Sequence, residues 1–427
     1  MIVLVVGSGA REHAIIRKLT QSKRVSKIYC APGNPGIEEL AECIDIRSDN
    51  INQLCEFALS NKIDLTVVVP ERPCTLGIAD LFKQNNLLIF APDKEAVKIS
   101  NSKSFAKNFM HRYKIPTPKF GVFDKESAAI EYVKKASKYP LVIKYDYHTN
   151  AQSSFLCETP IKAIKVIEEC FSNLAKSIII ETYVHGRELS FPVITDGYNA
   201  VPLVSSVVYK RPLEGDGGAN TPGVGAYAPC PLVDAHLEEK IAAKVIFPAL
   251  DGLSTAGNPY CGILNVDIIM DEHNKLQVIE FNSNLGDPEA QTILPLLDED
   301  LFEIMYSTAI GALGDDYENF RINEDKTTTV VLLSGNYPLN PKKGSVIDGL
   351  DNIDDDDLYV FQGETQKNKY GELVTNGGRV LSVTAKAATL NRAHQRVYEA
   401  IDLINFDGMR YRKDIAKSQI NSLKEFL

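Results

Sequence analysis

Residues 2–6 form an uninterrupted apolar, largely β-branched run, the pattern of a strand buried on both faces. The run passes into Gly7-Ser8-Gly9-Ala10-Arg11-Glu12-His13, a glycine turn and the start of a helix. Further apolar runs at 65–69 and 87–90 are bounded by turn residues, with a helical stretch at 52–60 before them. This alternation predicts a parallel, doubly wound α/β unit over residues 1–102. From Ser102 the pattern changes. A helix opens through Lys107 and must close before Ile115-Pro116-Thr117-Pro118, because proline cannot continue it. Residues 140–144 read as a strand ending on Lys144, and 177–182 as a strand running through Glu181 into Tyr183-Val184-His185-Gly186-Arg187-Glu188. Two more strands, 265–270 and 277–282, flank the polar turn 271–275.

The polar residues that interrupt these strands are the candidates for chemistry. Glu280 and Asn282 alternate around Phe281, so a period of two puts both on one face, and in a hairpin Asp267 shares it. Two carboxylates and an amide oxygen suit Mg²⁺ (or Mn²⁺) bridging phosphates; the alternative is a solvated hairpin face. Lys144 at a buried strand end needs an anion, either a nucleotide phosphate or a salt-bridge partner. The exit at Glu181, Tyr183 and Val184 can offer backbone groups to an adenine edge, and Glu188 can hold ribose hydroxyls; otherwise it is a strand, a turn and a strand. The Gly9 turn is either a plain βα turn or a phosphate or sugar site, with Glu12 where a dinucleotide fingerprint has its third glycine. The loops Ala31-Pro32-Gly33-Asn34-Pro35-Gly36 and Pro70-Glu71 sit where ligands collect on open α/β sheets, although each alone is also ordinary turn chemistry.

Composition narrows the classes. With 427 residues, three or four compact units are expected, and 44% hydrophobic with 24% charged residues argues against disorder. A net charge of −10 without a dense basic run disfavours nucleic acid and anionic membrane as partners. The eight cysteines show no metal-ligand spacing, and the first apolar run is too short for a membrane span or a signal segment. A reducing cytoplasm is the expected compartment, with the chain a monomer or homodimer acting on small molecules.

These segments occur, nearly end to end, in the order found in the glycinamide ribonucleotide synthetase family, which the chain resembles. The match is especially close in Lys210-Arg211-Pro212-Leu213-Glu214-Gly215-Asp216-Gly217-Gly218-Ala219-Asn220-Thr221 and in Thr375-Asn376-Gly377-Gly378-Arg379. The resemblance implies an ATP-grasp architecture: an α/β domain over 1–102, an ATP-grasp domain over 103–325 with a small lid at about 118–184, and a mixed α/β domain over 326–427. It also implies an ATP-dependent ligase joining glycine to 5-phosphoribosylamine through an acyl phosphate. In that reading Lys210, Arg211 and Asp216 are catalytic, and Lys107, Lys144, Glu181, Tyr183, Val184 and Glu188 hold ATP. Gly9, Arg11, Glu12, Asn34, Pro35, Gly36, Glu71, Asn220, Thr221, Asp287, Gly377, Gly378 and Arg379 meet substrate, and Glu280 and Asn282 meet the metal, with Asp267 added to them by the hairpin reading.

The departures are specific. Where the family has a Gly-Lys-Gly lid element after Lys144, this chain has residues 145–154, with Gln152 in the lysine's place. Val69 replaces the glycine before Pro-Glu, Asn284 replaces an arginine, Pro222 interrupts a glycine pair, and Asp267 adds an acid. Three readings follow: the family reaction with an altered lid, the same mechanism on another carboxylate or amine, and a nucleotide-binding regulator without catalysis. The Glu280, Asn282 and Asp267 set argues against the last.

Overall fold

The computed structural model describes residues 1–147, 153–314 and 321–425, so His148 to Gln152 of the altered loop lie outside the described residues. The opening apolar run forms β1 (Ile2–Gly7), and the following turn leads into α1 (Ala10–Leu19). With β2 (Lys27–Pro32), β3 (Glu42–Cys43), β4 (Leu65–Val68) and β5 (Ile89–Phe90) it makes a parallel sheet of order β3-β2-β1-β4-β5. Its central strands are buried on both sides, as the unbroken Val3–Val6 apolar run requires. The order reverses beside β1, which puts the Gly9 turn and the loop after β4 at the sheet's carboxyl edge.

The next sheet is antiparallel, of order β6-β9-β7-β8, from β6 (Phe120–Phe123), β7 (Leu141–Tyr145), β8 (Ser154–Cys157) and β9 (Ile178–Thr182). Residues 186–282 then supply β10 (Gly186–Thr195), β11 (Ala200–Pro202), β12 (Val207–Tyr209), β13 (Gly225–Ala228), β14 (Gly262–Asp271) and β15 (Leu276–Asn282). Four of them form the sheet β11-β10-β14-β15. The other two leave it: β12 and β13 join β16 (Lys326–Leu333), β17 (Leu358–Gln362) and, beyond the short hairpin of β18 (Thr365–Lys367) and β19 (Leu373–Thr375), β20 (Arg379–Ala387). The Lys210–Thr221 loop between β12 and β13 is therefore anchored on the C-terminal sheet, although it lies in the sequence of the central unit.

The expected hairpin forms, with a bulge that simple alternation does not contain. Asp267 pairs with Glu280 and Asn265 with Asn282, but Ile268 pairs with Val278, so Ile279 is extra. In regular alternation Val278 would share a face with Glu280. The bulge turns Val278 into the core beside Phe281, both essentially unexposed, and leaves Glu280 and Asn282 partly accessible.

Candidate functional site

Two lysines and a glutamate form the deepest charged group. The helix Lys103–Arg112 starts on a Ser102 side-chain cap that accepts the Phe105 N–H, which brings Lys103 and Lys107 inward, four residues apart on one face. The Nζ of Lys107 lies 2.7 Å from Glu181 and donates to Thr117 at 2.8 Å, while Lys144 pairs with the other Glu181 oxygen. Lys107, Lys144 and Glu181 are only 2%, 6% and 3% exposed. Burial pushes the Lys107 ammonium down to about 8, the charge of Lys144 adding to it against the pull of Glu181. For Lys144, burial is outweighed by Glu181 and Glu280, and its affinity for a proton rises. A pair of lysines against one carboxylate leaves a buried excess of positive charge.

The Glu181 side chain is thus the counter-ion of both lysines, which leaves the backbone for the expected ATP contact. Its strand is also paired on both sides, with Phe120 and Val142 opposite Glu181, and the Tyr183 N–H is given to Pro140. What remains for an adenine edge is the backbone around Val184.

The hairpin joins a second set. Lys103 lies 3.1 Å from Glu280, and Lys210 pairs with Asp267 at 2.9 Å and with Glu188. The structure so brings together the expected Lys210, Glu188, Asp267 and Glu280, from the substrate loop, β10, β14 and β15. Burial works against the Lys210 charge, but Asp267 and Glu188 outweigh it and hold the ammonium charged. Behind Asp267, Ser190 donates to it at 2.7 Å, and Asn265 donates to the buried Glu289 at 2.8 Å. Burial and the charge of Asp267 raise the Glu289 carboxyl to about 7. Lys103, Ser190, Asn265 and Glu289 are site residues that the sequence reading missed; the alternation of Asn265 with Asp267 was the available signal.

From Asn282 the chain continues past Glu71, Arg11 and Arg379. Ser283 reaches Glu71, which also accepts from Ser100 at 2.6 Å. Asn284 takes the Arg11 guanidinium on its oxygen at 3.1 Å and donates to the Val69 carbonyl at 2.7 Å. Two departures from the family pattern, Val69 and Asn284, are therefore direct neighbours. Asp287 meets Arg379 at 3.2 Å, and its carbonyl accepts a second Arg379 bond at 2.8 Å. Glu364 gathers the N–H groups of Gly378 and Arg379, fixing the Gly377-Gly378 turn.

Several expected ligand contacts are internal braces. The Glu12 carboxylate takes the Gly9 N–H at 2.8 Å and is 2% exposed; a Cβ on Gly7 would lie 2.4 Å from it. Glu12 thus ties down the Gly9 turn from within. Asn34 spends both amide hydrogens on Ser8 and Gln362 carbonyls and its oxygen on the Gly36 and Ile37 N–H groups. With Pro35 and Gly36 buried beside it, this loop shapes the site through its backbone. Asp216 is held by Arg412 at 2.7 Å, and Arg412 also binds Asp414 and the Arg211 carbonyl. Arg211 bonds the Gly218 carbonyl, Thr221 bonds Lys210 O, and Asn220 is exposed. These last residues stand on the loop and are not in contact with the lysine group.

Among the described residues no three His, Cys, Asp or Glu side chains form a ready metal cage. Glu280 and Asn282 with Asp267 opposite fit a hard cation that takes its other ligands from phosphates, which is how Mg²⁺ is commonly held.

Comparison with known proteins covers nearly the whole chain. Three family descriptions match in order: phosphoribosylglycinamide synthetase N domain over residues 1–100, its ATP-grasp (A) domain over 101–290, and its C domain over 327–418. A phosphoribosylamine–glycine ligase of Caldanaerobacter subterraneus subsp. tengcongensis is 40% identical over 97% of this chain and 99% of its own. The crystal structure of a phosphoribosylamine–glycine ligase from Thermotoga maritima superposes with a TM-score of 0.84 at 28% identity, covering 97% of this chain and 100% of that one. A biotin carboxylase domain from Hydrogenobacter thermophilus, in complex with MgADP, shares the fold at a TM-score of 0.73 and 15% identity, covering 96% and 91%.

Proposed function

The chain belongs to the phosphoribosylglycinamide synthetase family, and from that membership we infer that it joins glycine to 5-phosphoribosylamine at the expense of ATP, in purine biosynthesis. It is an ATP-grasp ligase that forms a C–N bond. The glycine carboxylate attacks the γ-phosphate, giving glycyl phosphate and ADP; the amine then attacks the acyl carbon, expelling phosphate and releasing a proton. The observation that best supports a shared site for both steps is the single segment 280–287. One end carries Glu280 and Asn282 beside the lysines, and the other meets Arg11 and Arg379.

Within this reading, Lys107 and Lys144 balance phosphate charge, with Glu181 keeping them buried and positioned. Glu280 and Asn282, with Asp267, hold Mg²⁺, which when bound neutralises phosphate charge during transfer. Lys210 sits at the junction of this set and the substrate loop, where Asp216 and Arg211 are held by the C-terminal sheet. Arg379 and the Gly377-Gly378 turn receive the phosphate of phosphoribosylamine, with Asp287 orienting Arg379. We retain the division 1–102, 103–325 and 326–427, with the lid at about 118–184. No described helix is long and apolar enough to cross a membrane, and a cytoplasmic location fits eight cysteines that are all free.

The direct test is ADP release by purified protein, with each amino acid in turn and freshly made phosphoribosylamine. Release that requires both glycine and phosphoribosylamine is expected; release with a different amino acid only would defeat the glycine assignment. In the same assay Arg379→Ala raises the KM for phosphoribosylamine by roughly tenfold or more and leaves that for ATP nearly unchanged, because the lost contact is a charge-assisted bond to ground-state phosphate. Equal changes in both constants would locate its role in the domain contact with Asp287.

ATP binding should also take up a proton. Phosphate beside Lys107 favours the charged ammonium, so its pKa rises from about 8 on binding. Affinity then falls as pH climbs through 8, and calorimetry in buffers of different ionisation enthalpy registers uptake of up to about one proton near pH 9. No buffer dependence there would remove Lys107 from the phosphate site.

A further inference from the structure

A cavity of about 290 Å³ lies away from the ligase site, between α1, the segment after the helix Glu289–Ile293 and the C-terminal sheet. Arg17 and Lys18 line it from α1 and Lys386 from β20, against the carboxylate of Asp298. Arg17 makes no ion pair among the described residues; its guanidinium rests 5.0 Å from the centre of the Tyr359 ring, which fixes it without neutralising it. Lys18 gives its ammonium to the Leu297 carbonyl, and burial with the nearby Lys386 lowers its pKa against the pull of Asp298 and Asp300. Lys386 is shared with Asp357 at 3.2 Å. Three cations from two elements thus converge on a space large enough for more than a bare ion; Asp298 and Asp357 face two of them, and the Arg17 charge, without an ion pair among the described residues, is the one left for an anion.

Each wall of this cavity also carries a residue of the site described above. α1 bears Arg11 two turns before Lys18; the chain running to Leu297 begins at Asp287; β20 starts at Arg379 and reaches Lys386. We propose that this cavity is a second anion site, which takes a small phosphomonoester and is coupled to the substrate loops through these three elements. The coupling rests on the substrate reading given above; the binding does not. An occupant drawing Arg17, Lys18 and Lys386 together shifts the elements that present Arg11, Asp287 and Arg379, so it changes phosphoribosylamine affinity without touching ATP.

The probe is ribose 5-phosphate, titrated into full-length Arg379→Ala protein, in which the proposed substrate phosphate contact is gone, and followed by ³¹P line broadening. Binding should persist there and weaken by about tenfold or more when Arg17→Gln and Lys386→Gln are added. Arg17→Lys with Lys386→Arg should keep it, which separates loss of charge from damage to the fold. In the otherwise unaltered enzyme ribose 5-phosphate also competes at the Arg379 site, so Arg17→Gln with Lys386→Gln should remove only the part of the phosphoribosylamine KM response that departs from simple competition. Absence of binding to the Arg379→Ala protein, or binding indifferent to the glutamine pair, overturns the site. Equally tight binding of citrate overturns the phosphomonoester assignment, and an unaltered KM response overturns the coupling.

Discussion

Replacing Glu280 by Gln is expected to lower kcat by roughly two to three orders of magnitude, the usual cost of losing one preorganised electrostatic group, with the fold intact. The substitution keeps the shape of a side chain that is partly accessible and removes a charge now set against Lys103 at 3.1 Å. Two consequences distinguish this from general damage. The melting temperature should fall far less than kcat, since Glu280 is partly accessible and contributes nothing to the core face that Val278 and Phe281 occupy, although buried Lys103 loses its carboxylate partner. The Mg²⁺ concentration giving half-maximal ADP release should rise severalfold, because one of at most two carboxylates in the set is gone. Normal Mg²⁺-dependent turnover in this variant would remove the hairpin from the phosphate site, whatever the family. Asp267 lies opposite Glu280 in register but is already committed to Lys210 and Ser190, so its own loss should act partly through the Lys210 position.

How much of this was legible beforehand depends on the range of the interaction. The parallel sheet, the helix capped by Ser102 and the Asp267–Glu280 hairpin follow from local period and turn chemistry, and all are present. The bulge at Ile279 was not readable, because it is set by which side chains the core accepts and not by spacing along one strand. Nor was the departure of β12 and β13 to the C-terminal sheet, whose partner β16 lies about a hundred residues on. The same limit applies to the site. A carboxylate or lysine on a strand announces that it needs a partner, but Glu181 has the same appearance whether it faces a ribose or two ammonium groups. Glu12 and Asn34 are ambiguous for a related reason: short polar residues beside glycine turns serve equally to grip a ligand and to tie the turn together, and here they make hydrogen bonds inside the protein.

The second large effect concerns that buried triad. Glu181→Gln leaves Lys107 and Lys144, 2% and 6% exposed, without their common counter-ion. Breaking a buried pair by removing one partner costs about 3–5 kcal/mol, since the remaining charge stays desolvated and unpaired. One way for the protein to lower that cost is for Lys107, already down near 8, to release its proton at neutral pH. The variant should therefore melt well below the parent and gain stability as pH rises from 7 to 9, because the folded state then binds fewer protons than the unfolded one. A nucleotide offers the other remedy. If the two lysines face ATP phosphates, ATP supplies the missing negative charge, and the rise in melting temperature on adding saturating ATP should be larger in Glu181→Gln than in the parent. An equal rise in both proteins would mean that the phosphates do not reach this pair, and that Lys107, Glu181 and Lys144 are a structural knot beneath the site.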